Sequence, residues 1–109
     1  MRNKAALSRL PFEVVDVLSE LGNRVATVRR VRELTQADLA AKAGVSIGTM
    51  VDIEQGASTV QMGRWLSVLW ALDLTPGLAS VLSSLGKDDD GVSLMEAQLP
   101  KRVRGPRRS

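Results

Sequence analysis

The stretch Thr35-Gln36-Ala37-Asp38-Leu39-Ala40-Ala41-Lys42-Ala43-Gly44-Val45-Ser46-Ile47-Gly48-Thr49-Met50-Val51-Asp52-Ile53-Glu54-Gln55-Gly56 decides how this chain is read. Thr35 is a good N-cap, and Asp38 three residues later resembles a capping box. A helix from Gln36 to Ala43 then buries Leu39, Ala40 and Ala43, and the alanines let a neighbouring helix approach closely. Gly44 stands where left-handed backbone turns the chain. Val45 plugs the turn and Ser46 caps the next helix, which runs to about Gln55 and stops at Gly56. Within it Met50 and Ile53 face inward at i, i+3. Ile47, Gly48, Thr49, Val51 and Asp52 are left for the outer face. The pattern is two short helices joined by a tight turn.

Upstream, residues 1 to 10 read as a flexible arm, and Pro11 suits a first helical position. Val14, Leu18, Leu21, Val25 and Val28 repeat at helical spacing. The phase is kept across Gly22-Asn23, so one long helix is expected, with any bend falling there. Downstream, residues 57 to 59 form a loop. A helix from about Gln61 to Leu72 follows, with Met62, Trp65, Leu66, Leu69 and Leu72 on one face. After a break at Asp73 to Pro76, Leu78, Val81, Leu82 and Leu85 mark a fifth helix that Gly86 ends. Lys87 to Gly91 reads as a solvated linker, and Val92 to Ser109 as a tail with an apolar start and a basic end. The expected organisation is an arm over 1–10, a helical domain over 11–86, and a linker and basic tail over 87–109.

Composition agrees with an all-α class. The chain has 109 residues, 44% of them hydrophobic and only 3% aromatic, with no strand-like alternation. It contains neither Cys nor His. That excludes disulfides, Cys nucleophiles, His acid–base chemistry and the common zinc sites, so neither an enzyme nor a cofactor is expected. No apolar run approaches the ~20 residues that span a bilayer. Arg9, Glu13 and Asp16 interrupt any signal-like segment, and a cytoplasmic protein is the simplest expectation. The formal charge is +3, yet Lys101, Arg102, Arg104, Arg107 and Arg108 contribute +5, which leaves −2 on the first hundred residues. A sequence pI of about 10.0 is therefore weak evidence for a nucleic-acid partner. More telling is the cluster Arg24, Arg29, Arg30 and Arg32 just before the two-helix unit, with Arg64 just after it.

Glycine turns between helices are common in plain helical hairpins. Here the small buried residues, the Gly turn, the plugging valine and the serine cap all stand at helix-turn-helix offsets. Such a unit places its second helix in the major groove of DNA while the first braces it. The chain resembles the Xre/Cro family of DNA-binding domains over roughly residues 21 to 74. The resemblance is carried by Arg29, Thr35-Gln36, Leu39-Ala40, Ala43-Gly44-Val45-Ser46 and Ile53-Glu54-Gln55-Gly56. It implies a five-helix, lambda-repressor-like fold. It also implies that Arg29 pairs with Glu54 as a structural pair, which offsets a carboxylate at a helix C-terminus.

On the outer face, Ser46, Ile47, Gly48, Thr49 and Asp52 are the candidate base contacts. Ser46 and Thr49 offer hydroxyls, Ile47 an apolar contact for a thymine methyl, and Gly48 room for close approach. Asp52 is an acceptor for a cytosine amine, or a group that repels DNA. None of the strong bidentate readers (Arg, Asn or Gln) lies between Ser46 and Glu54. Shape readout and a dimer on two half-sites then matter more. Gln36, Lys42 and Arg64 are the candidate phosphate contacts, with Lys42 equally readable as a solvated surface lysine.

The flanks narrow the resemblance. Leu10-Pro11-Phe12-Glu13-Val14, Leu66-Ser67-Val68-Leu69-Trp70-Ala71-Leu72 and Leu99-Pro100-Lys101-Arg102-Val103-Arg104 look like HipB-type antitoxins, which pair with HipA-like kinase toxins. This resemblance implies a homodimer on its own double-stranded DNA operator and a kinase partner. The tail then offers Leu94, Leu99, Lys101, Arg102, Val103 and Arg104 as partner contacts. A nonspecific DNA arm and a solvated end remain open for the same segment. Trp70 lies off the main stripe of its helix, as an interface residue or as a contact to the final helix.

Overall fold

The computed structural model describes residues 9–87 and 90–100. The residues described form helices and turns, with no strand among them. The helices are α1 (Phe12–Val31), α2 (Gln36–Ala43), α3 (Ile47–Glu54), α4 (Met62–Ala71), α5 (Thr75–Leu82) and α6 (Asp90–Gln98). The chain divides into two compact units at Pro76/Gly77, earlier than the Gly86 boundary suggested by the sequence.

In the first unit α2 packs on both α3 and α4, and α1 packs on α3. Its core is Val25, Ala26, Leu39, Ala40, Met50, Ile53, Trp65, Val68, Leu69, Ala71 and Leu72. The α4 face differs from the expected one. Met62 is 75% exposed and Leu66 39%, while Val68 is fully buried. The packed positions are Trp65, Val68, Leu69 and Leu72, so the buried stripe is rotated away from Met62.

Helix α1 runs unbroken through Gly22. Gly22 is the point where α1 crosses the end of α3. A Cβ at Gly22 would stand 2.5 Å from the Ile53 carbonyl oxygen and 2.8 Å from that of Glu54. Gly56, at φ +75°, answers from the other side, where a Cβ would lie 2.8 Å from the Leu18 carbonyl oxygen. The buried positions of α1 are accordingly Gly22, Val25, Ala26 and Arg29, whereas Val14 at the start of the expected stripe is exposed.

Helices α1 and α4 end in the same way. Glu33 and Asp73 both take φ 59°, and the next residues, Leu34 and Leu74, donate back to the carbonyls of Arg29 and Leu69. This is the hydrogen-bond closure that glycine usually makes at a helix C-terminus. Arg32 donates to the Leu72 carbonyl and ties the two helix ends together.

The second unit holds most of α5 and all of α6. Neither α5 nor the turn after it buries a residue: Val81 and Leu82 are each 54% exposed and Leu85 63%. Helix α6 occupies the start of the segment read as linker and tail, a sixth helix where five were expected. Val92 to Gln98 contains no Gly or Pro and is rich in strong helix formers, and Pro100 follows its end.

Candidate nucleic-acid interface

Each of the two short helices is capped at its N-terminus by a side chain. Thr35 Oγ1 accepts from the Asp38 backbone N–H at 2.9 Å, and Asp38 Oδ2 accepts from the Thr35 N–H at 3.0 Å. The Thr35 backbone N–H first, and the Thr35 side chain after it, hold the Asp38 carboxyl below its ordinary pKa. Gly44 takes φ 73°, ψ 31°, with nothing within 4 Å of where a Cβ would stand, so the turn needs its backbone freedom rather than its small size. Ser46 Oγ accepts from the Thr49 N–H and donates to Thr49 Oγ1, both at 3.0 Å.

The end of α3 is held from α1 and α2 together. Arg29 is buried and donates through Nε and Nη2 to the two Glu54 carboxylate oxygens at 2.6 and 3.1 Å. Its Nη1 donates to the Leu34 carbonyl at 2.8 Å. Gln36 Nε2 donates to Glu54 Oε1 at 2.9 Å. Burial alone would push the Glu54 carboxyl up. The hydrogen bonds from Arg29 and Gln36, with the charges of Arg29 and Arg30, outweigh burial and hold it below the ordinary carboxylate range. The Arg29 guanidinium is raised in turn, chiefly by its hydrogen bond to Glu54. Three elements therefore converge on one carboxylate, and α3 is locked in orientation relative to α1 and α2.

The outward face of α3 is open and lightly functionalised. Ile47 is 53% exposed, Gly48 is exposed, and Thr49 and Asp52 are half-buried. The Ser46 and Thr49 hydroxyls are joined to each other as part of the cap, so their reading capacity is shared with a structural task. Lys42 on α2 and Arg64 in the first turn of α4 are both exposed. Gln36 has one amide hydrogen held by Glu54, which leaves the second for another acceptor. Leu94 and Leu99 are 63% and 59% exposed. Lys101, Arg102, Val103 and Arg104 lie outside the described residues.

The sequence assigned no site to Asn23, Thr27 and Gln55, nor to Arg30 of the basic cluster, and the structure does. Asn23, Thr27 and Arg30 of α1, with Gln36, Glu54 and Gln55, line a mainly polar cleft of about 300 Å³. It runs along the Val51 edge of α3. The helical spacing of Asn23, Thr27 and Arg30 (four, then three) was a signal that could have found this face.

Among the described residues no helix is long and apolar enough to cross a membrane, and no His, Cys, Asp and Glu group could hold a metal ion. A helix-turn-helix domain family matches residues 20–82 of the chain. An uncharacterized HTH-type transcriptional regulator, y4mF, of Sinorhizobium fredii (strain NBRC 101917 / NGR234) is 41% identical over 54 residues. That alignment covers 50% of this chain and 71% of the relative. With the α2–Gly44–α3 geometry, these similarities place the chain in the helix-turn-helix domain family.

Proposed function

We propose that this chain is a DNA-binding transcriptional repressor that acts as the antitoxin of a type II toxin–antitoxin pair. It binds its own operator as a homodimer and holds a HipA-like kinase toxin. The observation that carries the DNA-binding reading is the locked α2–α3 unit with an open outer face. Its scaffold is fully bonded and its exposed side is free to enter a groove. Family membership and a relative named as a transcriptional regulator support the same reading. The sparse readers on α3 favour a dimer, because one unit alone discriminates few base pairs. Two units spaced about one helical turn (~34 Å) apart restore specificity. Supporting surfaces are the exposed Phe12 and Val17 on α1, Trp70 on α4, and Val81, Leu82 and Leu85. The antitoxin role rests on the sequence resemblance of the flanks.

A mobility-shift titration on the DNA upstream of the coding frame tests the core of this reading. A discrete complex with two copies of the chain is expected, outcompeting unrelated duplex. Absence of any shift at low salt would leave a protein–protein adaptor on this fold. A kinase-like frame beside this one, and co-purification of its product with the full chain but not with a chain truncated after residue 91, supports the antitoxin role. A chain that binds DNA with no such neighbour is a free-standing repressor.

A further inference from the structure

The polar cleft beside α3 has a charge balance that names its ligand. Glu54 is neutralised by the bidentate guanidinium of Arg29. The Arg30 guanidinium, exposed at the same cleft, forms no hydrogen bond or close ion pair among the described residues, although its charge adds to that of Arg29 in keeping Glu54 ionised. Two cations thus stand around one carboxylate, which leaves the cleft with a net positive charge. Around that charge stand neutral amides: Asn23, Gln55 and the second amide hydrogen of Gln36.

An α-helix with its side chains is about 10–12 Å across, and the major groove about 12 Å wide. A helix seated in the groove fills it, so elements along its edges meet the phosphate walls. The cleft lies along one such edge of α3, between α3 and the helices that brace it. We propose that this cleft seats one phosphodiester of the DNA backbone, with Arg30 as its counter-charge and Gln55 and Asn23 as orienting donors. The inference rests on the DNA-binding reading above and deepens it. It moves the main phosphate contact on this edge from Gln36, whose amide is shared with Glu54, to α1. It also uses the second cation of a cleft that holds only one carboxylate.

The test is the salt dependence of binding, measured on the upstream DNA and on an unrelated duplex of equal length. The full-length wild type is compared with Arg30→Gln, Arg30→Lys and Gln55→Glu, each checked for helicity by circular dichroism. Losing one phosphate contact should flatten the slope of log K against log salt by about 0.9 in Arg30→Gln, equally on both duplexes. Arg30→Lys should keep the wild-type slope, since a point charge suffices. Gln55→Glu should weaken binding, most strongly at low salt. An Arg30→Gln slope equal to wild type overturns the proposal; if thermal stability falls at the same time, Arg30 serves only to balance Glu54. A wild type that binds neither duplex overturns the DNA-binding reading itself, which is a different failure.

Discussion

The two halves of α1 carry apolar residues at the same helical spacing, and only one half is buried. From Gly22 to Arg29 the helix meets α3 and buries Gly22, Val25, Ala26 and Arg29. From Phe12 to Leu18 it exposes Phe12, Val14, Val15 and Val17, and Val14, Val17 and Leu18 border a shallow groove with Glu13. An apolar stripe records a capacity for packing. Whether it packs depends on what the rest of the chain brings to it, and here α3 reaches only the second half.

That contrast can be broken most severely at Arg29. Arg29→Ala leaves Glu54 buried with only Gln36, and should cost about 3–4 kcal/mol of unfolding free energy in a urea titration. Replacing both partners with apolar residues of similar size should cost less than the single change. Gly22→Ala comes next, at about 3 kcal/mol, because the added carbon meets backbone oxygens that cannot rotate away. Val25→Ala removes fully buried methyls and should cost about 2 kcal/mol.

Acid sharpens the same comparison. The Glu54 carboxyl titrates lower in the fold than in the unfolded chain. Its contribution is thus complete above the ordinary carboxylate pKa of about 4.3 and disappears as pH falls through the folded value. Wild type and Arg29→Ala should therefore converge in stability as pH drops below about 4. The smallest effect belongs to the first half of α1. Val17→Ser should change the unfolding free energy of the isolated protomer by less than about 0.5 kcal/mol. A larger loss that grows with protein concentration would mean that this half is covered by a second copy.

The turn, both caps and the buried Leu39, Ala40, Met50 and Ile53 of α2 and α3 were legible in the sequence, because each depends on a residue type at a fixed local offset; Ala43, expected to be buried with them, is half-buried. Thr35, Gly44 and Ser46 need only their neighbours to reveal their task. The crossing at Gly22 was not legible in this way. Hydropathy periods count side chains, and this contact is made where side chains are missing, so Gly22-Asn23 marked only where a bend in one long helix would fall. Arg29 at a buried position is likewise invisible to an apolar period, although the family resemblance points to it. On α4, Met62 and Val68 are both apolar, and only the direction from which α2 arrives decides which is buried. Helix α6 was hidden by the acidic run before it, which reads as linker whatever follows. At the site, the outer face of α3 could be enumerated from the sequence. The Arg30 cleft could not, because it exists only once α1, α2 and α3 are assembled.

The crossing of Gly22 and Gly56 has one further consequence. There the direction in which α3 points is fixed by main-chain atoms of α1 and of the α3 terminus. Ile47 and Gly48, which face outward from α3, take no part in aiming it. Residues 47 and 48 are thus replaceable without disturbing the mount. Preference for a new operator can arise by exchanging those letters alone, while the pose on DNA is inherited unchanged.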